Sequence, residues 1–293
     1  MKITAPAKIN LFLDITGTLD NGYHVLDMIM ASTSLADTLE IEKLDDSALA
    51  DEIVCDIPLP ENNTLTKMLA VLREENLLSG FYQIKLTKRI PEQAGLGGAS
   101  ADAAALLHGL NKIENLQLGM EQMEKLGAKT GADVPFCLHD GFARVQGFGE
   151  IVTPFLEPDA SALSVLLLKP DAGVSTPQAF ALYDAMQTGK PSGHAENIDN
   201  VQKAVQKENL NLLYENVFNV LEPAAFSLVP ELMQAVQDLY DSGVKKVVMS
   251  GSGACLIGLA EENILDCAAK RLEKSYPFVE KVRIGCSRQS IQS

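Results

Sequence analysis

The chain has 293 residues, 46% of them apolar, and a formal net charge of −15. That length and apolar fraction predict one large or two moderate globular domains, and the charge excludes general affinity for nucleic-acid polymers and for an anionic membrane surface. Cys55, Cys137, Cys255, Cys267 and Cys286 show no CxxC or metal-ligand spacing, and no targeting or membrane-length apolar segment is present, so a cytoplasmic chain with reduced thiols is expected.

In chain order, Met1–Ile15 reads as a strand in which Ile9, Leu11 and Leu13 alternate with Lys8, Asn10 and Phe12. Lys8 and Asn10 then share a face, either a solvated edge or one turned to a cleft. Asp20-Asn21-Gly22 is a turn signal, followed directly by Tyr23 and His24. Met28–Ile41 predicts a further strand region with a turn near Ala36-Asp37, and residues 44–60 an acidic, irregular excursion. Asn63–Glu75 carries Leu65, Met68, Leu69 and Leu72 at helical spacing, and Tyr82–Leu86 predicts a short strand.

The most informative stretch is Pro91–Leu110, PEQAGLGGASADAAALLHGL. Gly95, Gly97 and Gly98 fall within four residues, and a helical run follows at once. Glycine reaches conformations closed to other residues and leaves room for a ligand. The first N–H groups of the helix are unpaired and carry the positive end of its dipole, so loop and helix together predict a phosphate-binding cradle. Ser100 is the expected helix cap. No Gly-Lys-Ser/Thr follows, and Ser100 stands where a dinucleotide fingerprint needs its third glycine. Binding by backbone groups, without an obligatory loop lysine, is therefore expected.

Gly131-Ala132-Asp133-Val134-Pro135-Phe136 is a second motif, whose Asp133 ends the preceding helix, starts a turn or serves chemistry. Gly141–Glu150 predicts a strand and a glycine turn, and Glu157–Ser161 a linker. Leu163–Leu168 predicts a buried strand. Thr176 is the expected cap of a helix with Pro177 at its first position, and that helix contains Phe180. Residues 189–197 read as a loop, Asn209–Leu221 and Pro230–Leu239 as helices, and Lys246–Met249 as a strand. Ser250-Gly251-Ser252-Gly253 follows as a turn. Cys255–Leu259 and Phe278–Ile284 read as strands flanking an Ile264–Leu272 helix.

Four motifs in this order, PAKIN with GYH, AGLGGASADAAA, GADVPF and SGSG, resemble the GHMP small-molecule kinases. They resemble most the members that phosphorylate the 2-hydroxyl of a cytidine-diphosphate-linked methylerythritol in non-mevalonate isoprenoid synthesis. The resemblance implies an α+β fold of two domains, here 1–157 and 158–293. The first would be like ribosomal S5 domain 2 and the second ferredoxin-like, with the active site between them. It implies ATP and Mg2+ as cofactors and a small-molecule alcohol as partner, with no inference about oligomeric state. Lys8 and Asp133 would be catalytic. Pro91, Ala94, Gly95, Leu96, Gly97, Gly98, Ala99, Ser100 and Ala101 would hold ATP. Lys8, Asn10, Tyr23, His24, Asp133 and Phe180 would hold the substrate, and Ser250, Gly251, Ser252 and Gly253 would support the site. Of the Mg2+ ligands, only Ser100 is singled out as a candidate. Ala99 and Ala101 stand where such kinases usually carry a glycine and a serine, so Ala101 lacks a hydroxyl for phosphate. Val25 stands where they commonly carry a glutamate. A GHMP kinase for another small alcohol, or a non-catalytic member of the fold, are the alternative readings.

Overall fold

The computed structural model describes residues 1–19, 22–161, 163–186 and 195–291. Strands β1 (Lys2–Thr18) and β2 (His24–Lys43) form a long antiparallel pair. Their β-branched, aromatic and long aliphatic side chains suit a pleated, packed surface. β1 is buried from Ile3 to Ile15 on both faces, so its polar members sit inside the protein rather than on a solvated edge. Asp20 and Asn21 of the expected turn lie outside the described residues; Gly22 has a φ of +84°.

No turn interrupts β2 at Ala36-Asp37. Ala36 pairs with Pro6 and Asp37 with Ala5 in the β1–β2 ladder. The buried Asp37 carboxylate accepts hydrogen bonds from the backbone N–H groups of Arg89 and Ile90, at 2.5 and 2.8 Å. Those distant donors satisfy a side chain that would otherwise favour a local turn.

Strand β3 (Glu52–Cys55) lies within the stretch expected to be irregular. Helix α1 (Thr64–Glu74) is capped by Asn63, whose side chain accepts from the N–H groups of Leu65 and Thr66. Strand β4 (Tyr82–Thr87), helices α2 (Gly98–Ile113), α3 (Met120–Thr130) and α4 (Val134–Leu138), and strands β5 (Phe142–Gly147) and β6 (Ile151–Leu156) complete this half. The sheet runs β3-β4-β2-β1, with β5 pairing the front of β2 and β6 pairing β5. The Ala-rich face of α2 packs against β1 and β2, since small side chains let helix and sheet approach closely.

The second half opens with β7 (Ser164–Lys169), fully buried as its apolar run predicts. Helices α5 (Thr176–Met186), α6 (Ala195–Gln206) and α7 (Leu210–Asn216) follow. Residues 189–194 of the expected loop lie outside the described residues, and 195–197 begin α6. The expected Asn209–Leu221 helix ends at Asn216. Beyond it, β8 (Phe218–Asn219) pairs in parallel with Phe12 and Leu13 of β1 and joins the first sheet. Then come α8 (Glu222–Leu228), α9 (Glu231–Asp241), β9 (Lys246–Met249), β10 (Leu256–Leu259), α10 (Glu262–Leu272) and β11 (Phe278–Arg283). Their sheet, β11-β7-β10-β9, is antiparallel throughout. This is the order of a ferredoxin-like unit, so the two-sheet α+β architecture matches the expectation.

Candidate active site

Irregularities in β1 aim two polar side chains into a cleft. The β1–β2 register shifts between Pro6 and Lys8 and again between Asn10 and Phe12. Bulges of this kind redirect side chains locally. Lys8 is 4% exposed; its Nζ donates to Asn10 Oδ1 at 2.8 Å and lies 3.4 Å from Asp133 Oδ2. Asn10 donates through Nδ2 to Met28 Sδ at 3.4 Å. Asp133 sits at the position preceding α4, with Pro135 in the first turn, and makes no side-chain cap there. Its carboxylate is therefore left for Lys8 and the cleft, with 34% of the side chain exposed.

The glycine-rich loop arrives beside Lys8. The Lys8 N–H donates to Leu96 O at 2.9 Å. Gly97 occupies the cap position of α2 in the left-handed region, φ +68°, and a Cβ there would stand 2.7 Å from Lys8 Cγ. A side chain at 97 would thus meet both an unfavourable backbone and the lysine stem. Ser100 is not the cap: α2 starts at Gly98, so Ser100 lies in its first turn. Gly98, Ala99 and Ser100 line the cleft, and at the start of α2 their N–H groups have no preceding helical carbonyl to bond. Ala101 differs. It is 1% exposed, its N–H donates to Gly97 O at 2.8 Å, and its methyl lies in the core. A hydroxyl at that position would not line the cleft.

The Ser250–Gly253 turn locks onto this loop. Ser250 Oγ donates to Gly95 O at 2.9 Å and accepts from the Asn10 N–H at 3.3 Å. A Cβ on Gly95 would fall 2.0 Å from Ser250 O. The N–H groups of Ala254 and Cys255 donate to Gln93 O and Ala94 O. Asn219, which sequence reasoning did not single out, is 2% exposed. It donates through Nδ2 to Met249 O and Gly251 O, both at 2.7 Å, and accepts from the Leu221 N–H. Thr176, expected as a cap, is the first residue of α5, and its hydroxyl bonds Ser252 Oγ at 2.6 Å. The two halves therefore meet through named bonds at the loop.

At the other end of the cleft, Tyr23 packs edge-on against Phe148, centroids 5.7 Å apart. His24 lies over Phe180 at 5.1 Å and bonds Asp184 Oδ1 through Nε2 at 2.7 Å. The two aromatic candidates, Tyr23 and Phe180, thus engage different neighbours. All six substrate candidates line one cleft of about 1010 Å3, together with Pro91, residues 94–100, Gly251 and Ser252. Ala101, Ser250 and Gly253 do not line it.

Lys88 is a further lining residue missed from sequence. Its ammonium bonds both Asp37 and Asp102, the latter at 2.8 Å. Burial pulls Lys88 down, yet Asp102 and Asp37 outweigh it and its pKa is raised. Asp102 is 3% exposed, and its Oδ1 has no hydrogen-bond partner among the described residues. Burial pushes the Asp102 carboxyl up to about 7, with Lys88 opposing and Asp37 reinforcing. A carboxyl whose pKa is raised on folding binds its proton more tightly in the native state, so its contribution to stability is present below about pH 4 and lost as pH rises through about 7. Asp102→Asn removes that titration. The stability of the wild type relative to this variant is expected to fall between about pH 5 and about pH 7, measured by urea midpoints. A difference that stays flat over that range contradicts the assignment.

Residues 63–141 match the family described as GHMP kinases N terminal domain, and residues 201–277 match GHMP kinases C terminal. A 4-diphosphocytidyl-2-C-methyl-D-erythritol kinase of Thermoanaerobacter pseudethanolicus is 34% identical over 285 residues, covering 96% of this chain and 93% of its own. The protein of that name from Carboxydothermus hydrogenoformans is 39% identical over 261 residues, covering 89% and 88%. A crystal structure of 4-(cytidine 5'-diphospho)-2C-methyl-D-erythritol kinase superposes with a TM-score of 0.79 at 29% identity, covering 98% of this chain and all of that one.

Proposed function

This chain belongs to the GHMP kinases, in their 4-diphosphocytidyl-2-C-methyl-D-erythritol kinase branch, and we propose that it transfers the γ-phosphoryl group of ATP to the 2-hydroxyl of 4-diphosphocytidyl-2-C-methyl-D-erythritol in isoprenoid precursor synthesis. The observation that carries the reading is the Lys8–Asp133 pair, 3.4 Å apart, at the mouth of a backbone phosphate cradle.

The residues present fit the nucleotide. Gly95, Gly97 and the first turn of α2 line the cleft, and the first N–H groups of that helix have no preceding helical carbonyl to bond. For Mg2+, the group on this chain that would hold the ion is the hydroxyl of Ser100, which lines the cleft. Among the described residues no group of three or more His, Cys, Asp or Glu side chains could hold a metal ion, and the Ser100 hydroxyl is the protein ligand we assign. When bound, Mg2+ neutralises charge on the phosphate chain. The N–H groups of the cradle would hold the phosphate chain of ATP beside Lys8 and Asp133. Asp133 orients the alcohol and takes its proton as the new oxygen–phosphorus bond forms and the bond to the ADP oxygen breaks. Lys8, steadied by Asn10, stabilises negative charge on the transferring group. Tyr23, His24 and Phe180 hold the cytosine end, an aromatic face serving the ring and a ring nitrogen serving its edge.

A boundary at 157/158 belongs to the same proposal. What supports it is that β6 ends at Leu156 and β7 opens the other sheet at Ser164. A cytoplasmic location is likewise proposed; no helix among the described residues is long and apolar enough to cross a membrane.

The test is a panel of initial ADP-release rates with Mg2+ and 4-diphosphocytidyl-2-C-methyl-D-erythritol, mevalonate or homoserine. The cytidine substrate is expected to exceed the others in kcat/KM by at least about 10^3, because a site built around a base loses most of its binding energy without one. Preference for either small alcohol overturns the assignment.

A further inference from the structure

After β11 the chain leaves the second sheet and returns across the first half. The Gly285 N–H donates to Ser32 O at 2.8 Å, and Ser32 Oγ donates to Cys286 O at 2.7 Å. Asp159 Oδ1 accepts from the Ser287 N–H at 3.1 Å and from Ser290 Oγ at 2.8 Å. Thr4 Oγ1 donates to Arg288 O at 2.9 Å. The segment is thus tied down on both sides of Arg288.

From there the Arg288 side chain reaches the end of α4. Its Nη2 donates to Cys137 O at 2.9 Å and to Leu138 O at 3.4 Å, and its Nε donates to Asp140 Oδ1 at 3.1 Å. His108 of α2 bonds Leu138 O through Nε2 at 3.0 Å. A carbonyl only accepts, so that ring nitrogen donates. Burial pushes the His108 pKa down to about 4, so the ring is neutral. These donors take carbonyls that a helix leaves unpaired at its end, and the cation favours the negative end of the dipole.

Helix α4 has five residues, too few to hold its shape without tertiary ties. Its side chains from Val134 to Leu138 are buried, which keeps it on the core but is non-directional. The bonds at its end fix its rotation and its position along its axis. One turn joins that end to the site. The Cys137 N–H donates to Asp133 O at 3.1 Å, Cys137 O accepts from Arg288, and Asp133 Oδ2 lies 3.4 Å from Lys8 Nζ. Stability alone does not account for the guanidinium. Its side chain is 11% exposed, and Nη1 has no hydrogen-bond partner among the described residues, so part of a desolvated cation goes uncompensated.

We propose that Arg288 is a positioning residue for phosphoryl transfer: by holding the last carbonyls of α4, it fixes the helix whose leading residue, Asp133, faces Lys8. This rests on the reading of the chain as a kinase with Asp133 as its base. Arg288 does not line the cleft, so its loss acts on kcat and leaves both KM values in place.

The experiment starts from Arg288→Met, which keeps a long stem and removes the guanidinium. Its kcat with the cytidine substrate is expected to fall by about 10–100-fold, the size of a displacement of about 1 Å at a reacting group. KM for that substrate and for ATP stays within about threefold. Arg73→Met removes another guanidinium, bonded to Asp51 and to Gly80 O, and is expected to keep kcat within about twofold. In an Asp133→Asn background, Arg288→Met is expected to cost less than about threefold more, because the group it positions is already disabled; a general loss of folded enzyme would multiply instead. Arg288→Lys keeps a charge but cannot span the same partners. It is expected to show the same split at smaller size, and it decides the question if the methionine variant does not fold. Hydrogen exchange at the N–H groups of Cys137 and His139 is expected to be at least about tenfold faster in these variants, with α2 unchanged. Wild-type kcat in the Arg288 variants, losses that multiply with Asp133→Asn, or unchanged exchange at Cys137 and His139 overturns the proposal. Wild type that does not turn over the cytidine substrate defeats the functional reading. In that case faster exchange in the variants upholds the anchoring of Asp133 by Arg288, and unchanged exchange overturns it.

Discussion

Asp133→Asn is expected to lower kcat by about 10^2–10^4-fold, the range for loss of a positioned general base, while substrate and ATP still bind. The side chain makes no cap bond to α4, so the amide keeps the shape of the site without disturbing the helix. What it loses is charge and the capacity to take a proton. In phosphoryl transfer through a loose transition state, the acceptor proton leaves late, and the base serves mainly to aim the hydroxyl. Asparagine can still accept a hydrogen bond from that hydroxyl, so the loss belongs to kcat rather than KM. Steady-state kinetics with single-turnover controls measure the split. A variant with near wild-type kcat contradicts the role of Asp133.

Lys8→Met is the second large effect, an expected fall in kcat of about 10^2–10^3-fold, the range for removal of one preorganised group that stabilises transition-state charge. The lysine stem threads past Gly97, whose built Cβ would lie 2.7 Å from Cγ, and its ammonium ends between Asn10 and Asp133. Methionine fills the stem's volume, so the fold is expected to survive with a thermal midpoint close to wild type. The charge is what disappears. Because Lys8 and Asp133 act on one event, the double variant Lys8→Met/Asp133→Asn is expected to be about as slow as the slower single variant. Losses that multiply would show that the two residues act independently.

How far the chain could be read beforehand follows from the range of its interactions. The glycine cluster before α2, the apolar run of β7 and the helical spacing of α1 were legible because each expresses a local rule. The site motifs were legible in order, but the cleft they form depends on β1 bulges that no alternation pattern reveals. Asp37 looked like a turn residue because its partners, Lys88, Arg89 and Ile90, lie about fifty residues away. Ser100 looked like a cap because Ser commonly is one, whereas Gly97 takes that position through its left-handed backbone. The helix predicted to run to Leu221 stops at Asn216, because β8 pairs with β1 and Asn219 braces the Ser250–Gly253 turn. Lys88 and Asp102 gave weak signals, a lysine just before Pro91 and a lone carboxylate in an alanine run. Their meaning appears only once α2 sits on the sheet.

The measurement that tests the central claim most directly is 31P NMR of the reaction of ATP, Mg2+ and 4-diphosphocytidyl-2-C-methyl-D-erythritol with the wild-type chain, beside Lys8→Ala. The account predicts one new phosphomonoester resonance per ADP formed, with the cytidine diphosphate intact and the resonance growing at least about 10^2-fold more slowly with the variant. ADP without that resonance, or product formation at close to the wild-type rate without Lys8, would contradict it.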